Sequence, residues 1–187
     1  YAEGSAPIKI WVEEKYIRAA PGGLGATKAG ANYAASLKAA FEAKKKNFAQ
    51  VLWMDVTHKY IEEVGTMNVF FVLGDEVVTP ALEGSILPGG VRDCVITLLK
   101  DMKMKITERK VSLEEIFEAH KKGLLKEAFG TGTAAVISPV GELASSQFVL
   151  KINDGVKGPV ATRLFDEISA IQYGDIADTH GWIEKLI

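Results

Sequence analysis

The sequence predicts one compact domain of mixed α and β structure. Strand-like segments, either alternating or continuously apolar, are interspersed with helical segments and follow no regular strand–helix–strand order. A chain of 187 residues, 48% of them hydrophobic, is long enough to bury one sizeable core. Neither an internal repeat nor a low-complexity tract interrupts it.

The elements are predicted from apolar periodicity and from glycine and proline signals. The first part of the chain begins with a strand or hairpin over 7–20 that turns at Glu13-Glu14. A helix follows from Ala29 to about Lys46, with Tyr33, Leu37 and Phe41 on one stripe, then a strand over 49–55 and two strands within 61–80 joined at Gly74-Asp75.

The second part begins with a helix from about Val91 and a strand over 105–112. A helix capped by Ser112 and stopped at Gly123 comes next, followed by two strands that flank a loop at 130–135, a strand over 146–152 and a helix from Pro159.

Charge and composition narrow the classes of function. A net charge of -2 favours neither nucleic acid nor anionic membrane as a partner, and no apolar run approaches the length of a membrane helix. One cysteine, Cys94, forms no internal disulfide, which favours a reducing, cytoplasmic setting. The three histidines share no metal-ligand spacing, so we expect no metal site. Because the chain starts at Tyr1 and not at Met, we expect a segment to precede it.

Three loops share a glycine-rich character: GGLGATKAG, LPGGVRD and GTGTAA. Each is either a tight turn or a place where backbone approaches a ligand closely. The second loop runs directly into a helix, whose first N–H groups suit an anion. None of the three has the spacing of a phosphate loop or a dinucleotide-binding turn, so a nucleotide-binding domain is not predicted.

Lys28 lies among small residues, Gly25, Ala26, Gly30 and Ala31. Such a lysine usually has something large beside it. Tyr33 is either a core aromatic or a phenol that reaches a ligand near Lys28.

Glu62 and Glu63 lie in a strand-like stretch, where alternation points one carboxylate inward and the other outward. The inward carboxylate pairs either with a surface lysine or with a protonated ring nitrogen. A lysine, a buried carboxylate, a phenol and two anion-binding loops together suit pyridoxal phosphate, whose ring would lie against the small neighbours of Lys28.

Four ordered blocks, GGLGATKAGANYAAS, EEVGTMNVFFV, VTPALEGSILPGGVRD and AFGTGTAAVISPV, resemble the large domain of branched-chain aminotransferases, fold-type IV enzymes that use pyridoxal 5'-phosphate. The resemblance runs from about Ala6 to Ile183. It implies strands forming a pseudo-barrel with helices outside, and a homodimer. It also implies transamination of leucine, isoleucine and valine with 2-oxoglutarate, within branched-chain amino acid biosynthesis.

The resemblance also implies a role for each matching residue. Lys28 forms the covalent bond to the cofactor and later moves a proton, and Glu63, with Glu62 pointing away, keeps the ring nitrogen protonated. The other cofactor-binding and substrate-binding positions are Tyr33 at the phenolic oxygen, Leu87 on the ring, Gly90, Val91 and Thr133 at the phosphate, and Thr66 and Ala134 at the substrate carboxylate.

Family members begin with a smaller N-terminal domain that supplies a phosphate-binding arginine and much of the side-chain pocket. We therefore expect residues 1–20 to be the end of an interdomain linker with the first strands, and residues 21–187 to be the cofactor-binding domain. Arg18, expected in a strand, and Arg92, expected in an ion pair, do not replace that arginine. The alternatives are a D-amino-acid transaminase or aminodeoxychorismate lyase of the same fold, or an inactive cofactor-binding fragment.

Overall fold

The computed structural model describes residues 6–184. Within them the strands and α-helices are, in chain order, β1 (Ile8–Val12), α1 (Gly30–Lys45), β2 (Gln50–Met54), β3 (Ile61–Val64), β4 (Asn68–Leu73), β5 (Glu76–Thr79), α2 (Gly90–Asp101), β6 (Lys105–Glu108), α3 (Leu113–Lys121), β7 (Leu125–Gly132), β8 (Val136–Ala144), β9 (Val149–Lys151) and α4 (Pro159–Tyr173).

The strands form one curled sheet in the order β3-β2-β1-β8-β7-β4-β5-β6, and β9 pairs with β8. β3 is the first strand in this order, and β2, β1, β8 and β7 separate it from β4. The chain nevertheless joins β3 to β4 directly through residues 65–67. Mutual backbone hydrogen bonds of 2.9 Å between Val64 and Met67 close that turn. The strands from β3 to β4 must therefore curl toward each other, which confirms the predicted pseudo-barrel.

Apolar side chains fill both faces of the curled sheet. On β4, Val69 and Phe71 join the interior cluster, whereas Phe70 and Val72 point toward α2 and α4. The rings of Phe70 and Phe129 stack with their centroids 5.3 Å apart. Since both faces of β4 are covered, its sequence is a continuous apolar run and does not alternate.

Helix ends follow local signals. Ser112 Oγ accepts a 3.1 Å hydrogen bond from the Glu115 N–H at the start of α3. Gly123, after the end of α3, has a φ of +67°, a conformation that favours glycine. α4 begins at Pro159, and both oxygens of the buried Glu127 accept 2.9 Å bonds from its first N–H groups. These helices match their predictions.

The segment after β1 differs from its prediction. β1 pairs in parallel with both β2 and β8, so no hairpin turns at Glu13-Glu14. Residues 13–29 run as irregular chain and turns, and Arg18 lies there and not in a strand. The apolar stretch 61–80, predicted as two strands, contains three because the turn at 65–67 divides it.

Helix α1 has the predicted bounds to within one residue, but the orientation of its stripe differs. Leu37 and Phe41 are 67% and 60% exposed, whereas Ala39 and Ala43 pack on Val51 and Trp53 of β2. The alanine face lets the helix approach the sheet closely, and the larger side chains consequently lie outward.

Candidate functional site

The loop before α1 carries Lys28, and the side chain of Asn32 fixes the shape of this loop. The Asn32 amide donates hydrogen bonds of 2.7 and 2.9 Å to the carbonyl oxygens of Leu24 and Thr27. Lys28 is exposed, and its Nζ lies 5.8 Å from the centroid of the Tyr33 ring. The amine and the phenol predicted to act together are therefore neighbours.

The small residues around Lys28 have two different explanations. A Cβ at Gly25 would overlap the Ser85 carbonyl and the Ala19 side chain, so packing within the protein requires this glycine. A Cβ at Gly30 would meet nothing within 4 Å. Gly25 is therefore explained by packing, whereas Gly30 lies on the open side of the loop and leaves room for a ligand beside Lys28.

Glu63 of β3 is the buried carboxylate, with 4% of its surface exposed. Its Oε1 accepts a 2.8 Å hydrogen bond from the Leu87 N–H, and its Oε2 lies 3.1 Å from Arg18 Nε. Burial raises the pKa of the Glu63 carboxyl to about 7, although Arg18, the Leu87 N–H and the charge of Lys28 oppose that rise. Glu63 is therefore poised to change its protonation near neutral pH.

Arg18 is buried beside Glu63 with 9% of its surface exposed. Its Nη2 donates to the Gly25 carbonyl over 3.3 Å and to the Ser85 carbonyl. One guanidinium thus connects the Lys28 loop, the loop before α2 and the Glu63 carboxylate. Arg18 was expected in a strand and not as a replacement for the phosphate-binding arginine. It lies in irregular chain instead, and its ion-pair partner is Glu63.

The orientation expected for Glu62 is also wrong. Glu62 does not point into solvent: it is 6% exposed and accepts a hydrogen bond from the Ser85 hydroxyl. Its second oxygen has no hydrogen-bond partner among the described residues. Burial raises the pKa of the Glu62 carboxyl, and the bond from Ser85 opposes the shift. All four residues of β3 are buried, and Ser85 covers the Glu62 side of the strand.

A cleft lies between the Lys28 loop, β3 and the loop that precedes α2. The residues that line it include Arg18, Thr27, Asn32, Tyr33, Glu63, Thr66 and Leu87. Lys28 follows Thr27 directly. The structure therefore brings together Tyr33, Glu63, Thr66 and Leu87 in one cleft, and the Lys28 amine lies beside it, 5.8 Å from the centroid of the Tyr33 ring.

The second glycine-rich loop leads from this cleft into α2. The Asn68 amide donates a 2.8 Å bond to the Leu87 carbonyl, and a Cβ at Gly89 would overlap Asn68 Oδ1. α2 begins at Gly90 and Val91, and no side chain among the described residues caps its first N–H groups. The start of α2 therefore presents free donors and the positive end of the helix dipole.

Arg92, one residue further on, forms the ion pair expected of it. Its Nη2 lies 2.7 Å from Glu108 Oε2 and also donates to the Pro80 carbonyl. The guanidinium is thereby engaged with β6 and the end of β5.

The third glycine-rich loop joins β7 to β8 and lies against the turn that contains Thr66. A Cβ at Gly132 would lie 3.2 Å from Met67 Cγ and 4.0 Å from the Thr66 carbonyl oxygen. Thr66, Thr133 and Ala134 are all exposed. The β7–β8 loop therefore lies beside the Thr66 turn, and Thr66 itself lines the cleft.

Sequence reasoning missed the residues that hold the site together: Arg18, Asn32, Asn68 and Ser85. Each bonds a backbone carbonyl or a carboxylate across a loop, and such contacts leave no periodic pattern in the sequence. The one sequence feature that could have indicated a role for Arg18 is its position directly before the Ala-Ala-Pro-Gly-Gly loop, whose backbone carbonyls an arginine can bond.

The cleft and its surroundings thus offer the phenol of Tyr33, the buried carboxylate of Glu63, whose pKa is about 7, and the nearby primary amine of Lys28. The start of α2 adds a place suited to an anion. Between residues 6 and 184 no three His, Cys, Asp or Glu side chains are grouped so as to hold a metal ion. None of the helices in that range is long and apolar enough to cross a membrane.

Comparison with known proteins places these features in context. The sequence model of the family described as amino-transferase class IV matches residues 3–143. The chain is 54% identical over 187 residues to branched-chain-amino-acid aminotransferase 2 of Bacillus subtilis (strain 168), covering 100% of this chain and 52% of that protein. The chain thus spans about half the length of the curated relatives it matches.

Solved structures show the same fold. The branched-chain amino acid aminotransferase of Escherichia coli superposes with a TM-score of 0.85 at 32% identity, over 99% of this chain and 58% of that one. The T.th. branched-chain amino acid aminotransferase solved with pyridoxamine 5'-phosphate superposes with a TM-score of 0.82 at 25% identity, over 98% and 57%.

Proposed function

The chain belongs to the amino-transferase class IV family, and from that premise we propose that it carries the cofactor-binding site of a branched-chain-amino-acid transaminase. The reaction is the pyridoxal-phosphate-dependent exchange of an amino group between leucine, isoleucine or valine and 2-oxoglutarate. The observation that carries the proposal is the cleft that Tyr33 and Glu63 line together, with the exposed Lys28 amine 5.8 Å from the Tyr33 ring.

The described residues fit pyridoxal 5'-phosphate. Lys28 is exposed at the edge of the cleft, as a covalent attachment site requires, and Glu63 is a buried carboxylate that faces the same space. A Cβ at Gly90 would meet nothing within 4 Å, so the first turn of α2 is open to an anion. Tyr33 and Leu87 line the same cleft as Glu63, and Leu87 lies three residues before the start of α2.

The cofactor, when bound, supplies an electron-accepting ring that stabilises negative charge on the substrate α-carbon. Glu63, as a carboxylate, accepts a hydrogen bond from the ring nitrogen and holds the proton there. The ion pair and the Leu87 N–H favour the charged form of Glu63 that this role requires.

The other side chains orient and move atoms around that ring. Lys28 Nζ, once free, would take the proton from the substrate α-carbon and deliver it to the C4′ atom of the cofactor, and it would move a proton in the reverse direction in the second half of the reaction. The Tyr33 hydroxyl bonds the phenolic oxygen, and the Leu87 side chain packs on the ring. Backbone N–H groups at Gly90 and Val91, with the Thr133 hydroxyl, hold the phosphate. Thr66 and Ala134 receive the substrate carboxylate.

A panel of amino donors tests the reaction. Leucine, isoleucine and valine should each support glutamate formation from 2-oxoglutarate, and D-alanine should not. Preference for D-amino acids, or elimination of pyruvate from aminodeoxychorismate, would instead assign one of the same-fold alternatives. The relatives that we identified carry branched-chain names, which does not favour those alternatives.

We further propose that the active enzyme is a cytoplasmic homodimer, which rests on the family resemblance and on the single cysteine. In the same proposal, residues 21–187 are the cofactor-binding domain, residues 1–20 belong to the linker and first strands, and a smaller domain completes the site. Residues 1–5 and 185–187 lie outside the described part of the chain. Sedimentation of the whole enzyme as a monomer at micromolar concentration would contradict the dimer.

The 187-residue chain by itself should bind the cofactor but transaminate poorly. Without the arginine expected from the smaller domain, the loss of one charge-assisted bond to the phosphate weakens cofactor binding by about ten- to a hundredfold. Without that domain over it, the site also stays open to water, which weakens its electrostatic contacts. The absorbance spectrum with added pyridoxal phosphate measures binding, and leucine with 2-oxoglutarate measures turnover. Turnover within about tenfold of an intact relative would show that no further domain is needed.

A further inference from the structure

Arg18 lies at the junction of the three segments that form the cleft. Its Nε approaches Glu63 Oε2 to 3.1 Å, and its Nη2 bonds the carbonyls of Gly25 and Ser85. The two side chains of this ion pair are 7% exposed for Arg18 and 5% exposed for Glu63. Nη2 makes the two hydrogen bonds to the loop carbonyls, whereas Nε meets Glu63 at ion-pair distance without a hydrogen bond. The rigid fork of the guanidinium thus anchors the cation on the loops and holds it beside the carboxylate.

The charges around Glu63 give Arg18 a specific task. Glu62, the next residue, repels a negative charge on Glu63, and burial also disfavours that charge. Lys28 attracts it, but Lys28 lies on the exposed loop and is the residue that our proposed function commits to the cofactor. Tyr33 lines the same cleft. Arg18 is thus the buried cation in contact with Glu63 among the described residues.

We propose that Arg18 is a positioning residue that holds a buried cation beside the Glu63 carboxylate and favours its ionised form, so that Glu63 meets the cofactor ring nitrogen as an anion. The part that concerns the cofactor rests on the proposed function. The part that concerns Glu63 is a property of the unloaded protein. Arg18 acts through Glu63 and is not itself assigned a contact with the substrate.

The decisive measurement is the titration of the Glu63 carboxyl in the protein without cofactor. Carbon-13 labelling of glutamate side chains gives one NMR signal per carboxyl, and the signal lost in Glu63→Gln identifies Glu63. In the wild type we expect the pKa of this carboxyl at about 7. Arg18→Met and Arg18→Gln should raise the midpoint by about one to three pH units, because a contacting cation is removed.

Two further variants separate charge from structure. Arg18→Lys keeps the cation and should restore most of the ionisation. Arg109→Met removes an arginine that pairs with Glu115 on α3 and should leave the Glu63 midpoint unchanged. If Arg18→Met does not fold, Arg18→Gln, which keeps an N–H donor for a loop carbonyl, decides the question.

Cofactor affinity supplies the second readout. At pH 7 Arg18→Gln should bind pyridoxal phosphate about tenfold less tightly than wild type, and the gap should narrow as the pH rises and Glu63 ionises again. A Glu63 midpoint unchanged in Arg18→Gln overturns the proposal. Failure of the wild type to bind the cofactor overturns the proposed function, while the titration of Glu63 still tests the role of Arg18.

Discussion

The backbone N–H of Leu87 donates a 2.8 Å hydrogen bond to Oε1 of Glu63, and this bond connects β3 to the loop that opens α2. The residue expected to face the ring nitrogen and the segment expected to bind the phosphate are thereby held at a fixed separation. The Asn68 bond to the Leu87 carbonyl secures the same residue from its other side.

Replacement of Glu63 by Gln should lower turnover of the intact enzyme by about a hundredfold, the usual effect of removing one charge-stabilising group. The Gln side chain can still accept the Leu87 N–H, so the loop should keep its place. Glu62→Gln is the matched control, since its amide oxygen can still accept the Ser85 hydroxyl, and it should turn over at a near-normal rate. Equal losses in both variants would contradict the distinct role of Glu63.

The same variant should change how stability depends on pH. The Glu63 pKa is about 7 when folded and near its ordinary value of 4.5 when unfolded, so the folded state holds the extra proton between these values. Its contribution to the free energy of unfolding therefore falls as the pH rises through that window. From pH 5 to pH 8, Glu63→Gln should gain about 2–3 kcal/mol relative to wild type.

Urea unfolding of the cofactor-free protein at several pH values measures this difference. A difference that stays flat with pH would show that Glu63 titrates near its ordinary value, despite its burial.

Lys28 should carry the cofactor covalently. Borohydride reduction of the loaded protein, followed by peptide mapping, should place the label on the peptide that contains Lys28, because its amine lies exposed beside Tyr33. Lys38 on α1, which is exposed and lies over the Tyr16 ring, is the internal comparison and should stay unlabelled. Label on any lysine other than Lys28 contradicts the assignment.

Two glycines close to Lys28 should respond in opposite ways to the same substitution. Gly25→Ala introduces a Cβ against the Ser85 backbone and should destabilise the protein by about 1–3 kcal/mol, a common cost of overpacking. Gly30→Ala adds a methyl group in open space at the start of α1, where alanine favours the helix, and should be neutral or stabilising.

Thermal unfolding of both variants without cofactor tests this pair. If Gly30→Ala proves as harmful as Gly25→Ala, the loop before α1 is packed differently from the arrangement described.

Most of the helices and strands could be predicted because their signals are local. Ser112 and Gly123 bound α3, and Pro159 opens α4, in each case through bonds or dihedral angles within a few residues. The division of residues 61–80 into three strands was not predictable, because the turn at 65–67 lies within a nearly continuous apolar stretch and depends on closure of the curled sheet. The outward orientation of Leu37 depends likewise on the face that packs against β2.

Prediction of the site was partial for a related reason. The small neighbours of Lys28 pointed to a ligand, and the order of the blocks selected Glu63. The burial of Arg18 and Glu62, however, arises from contacts with Ser85, which is distant in sequence. Charged residues are rarely buried unless paired, so strand alternation directed Glu62 to solvent, and nothing in the sequence indicated that Arg18 is buried.

The position of β1 in the sheet has a consequence for how the chain folds while it is being translated. β1 is central, between β2 and β8, and Ile8 pairs with Val140. During translation one edge of this early, apolar strand must therefore wait until β8 has left the ribosome before it finds its neighbour. Such long-range pairing slows folding and leaves a strand edge open to aggregation in the meantime. A nascent chain arrested before residue 136 should accordingly recruit chaperones that a chain released after residue 144 no longer needs.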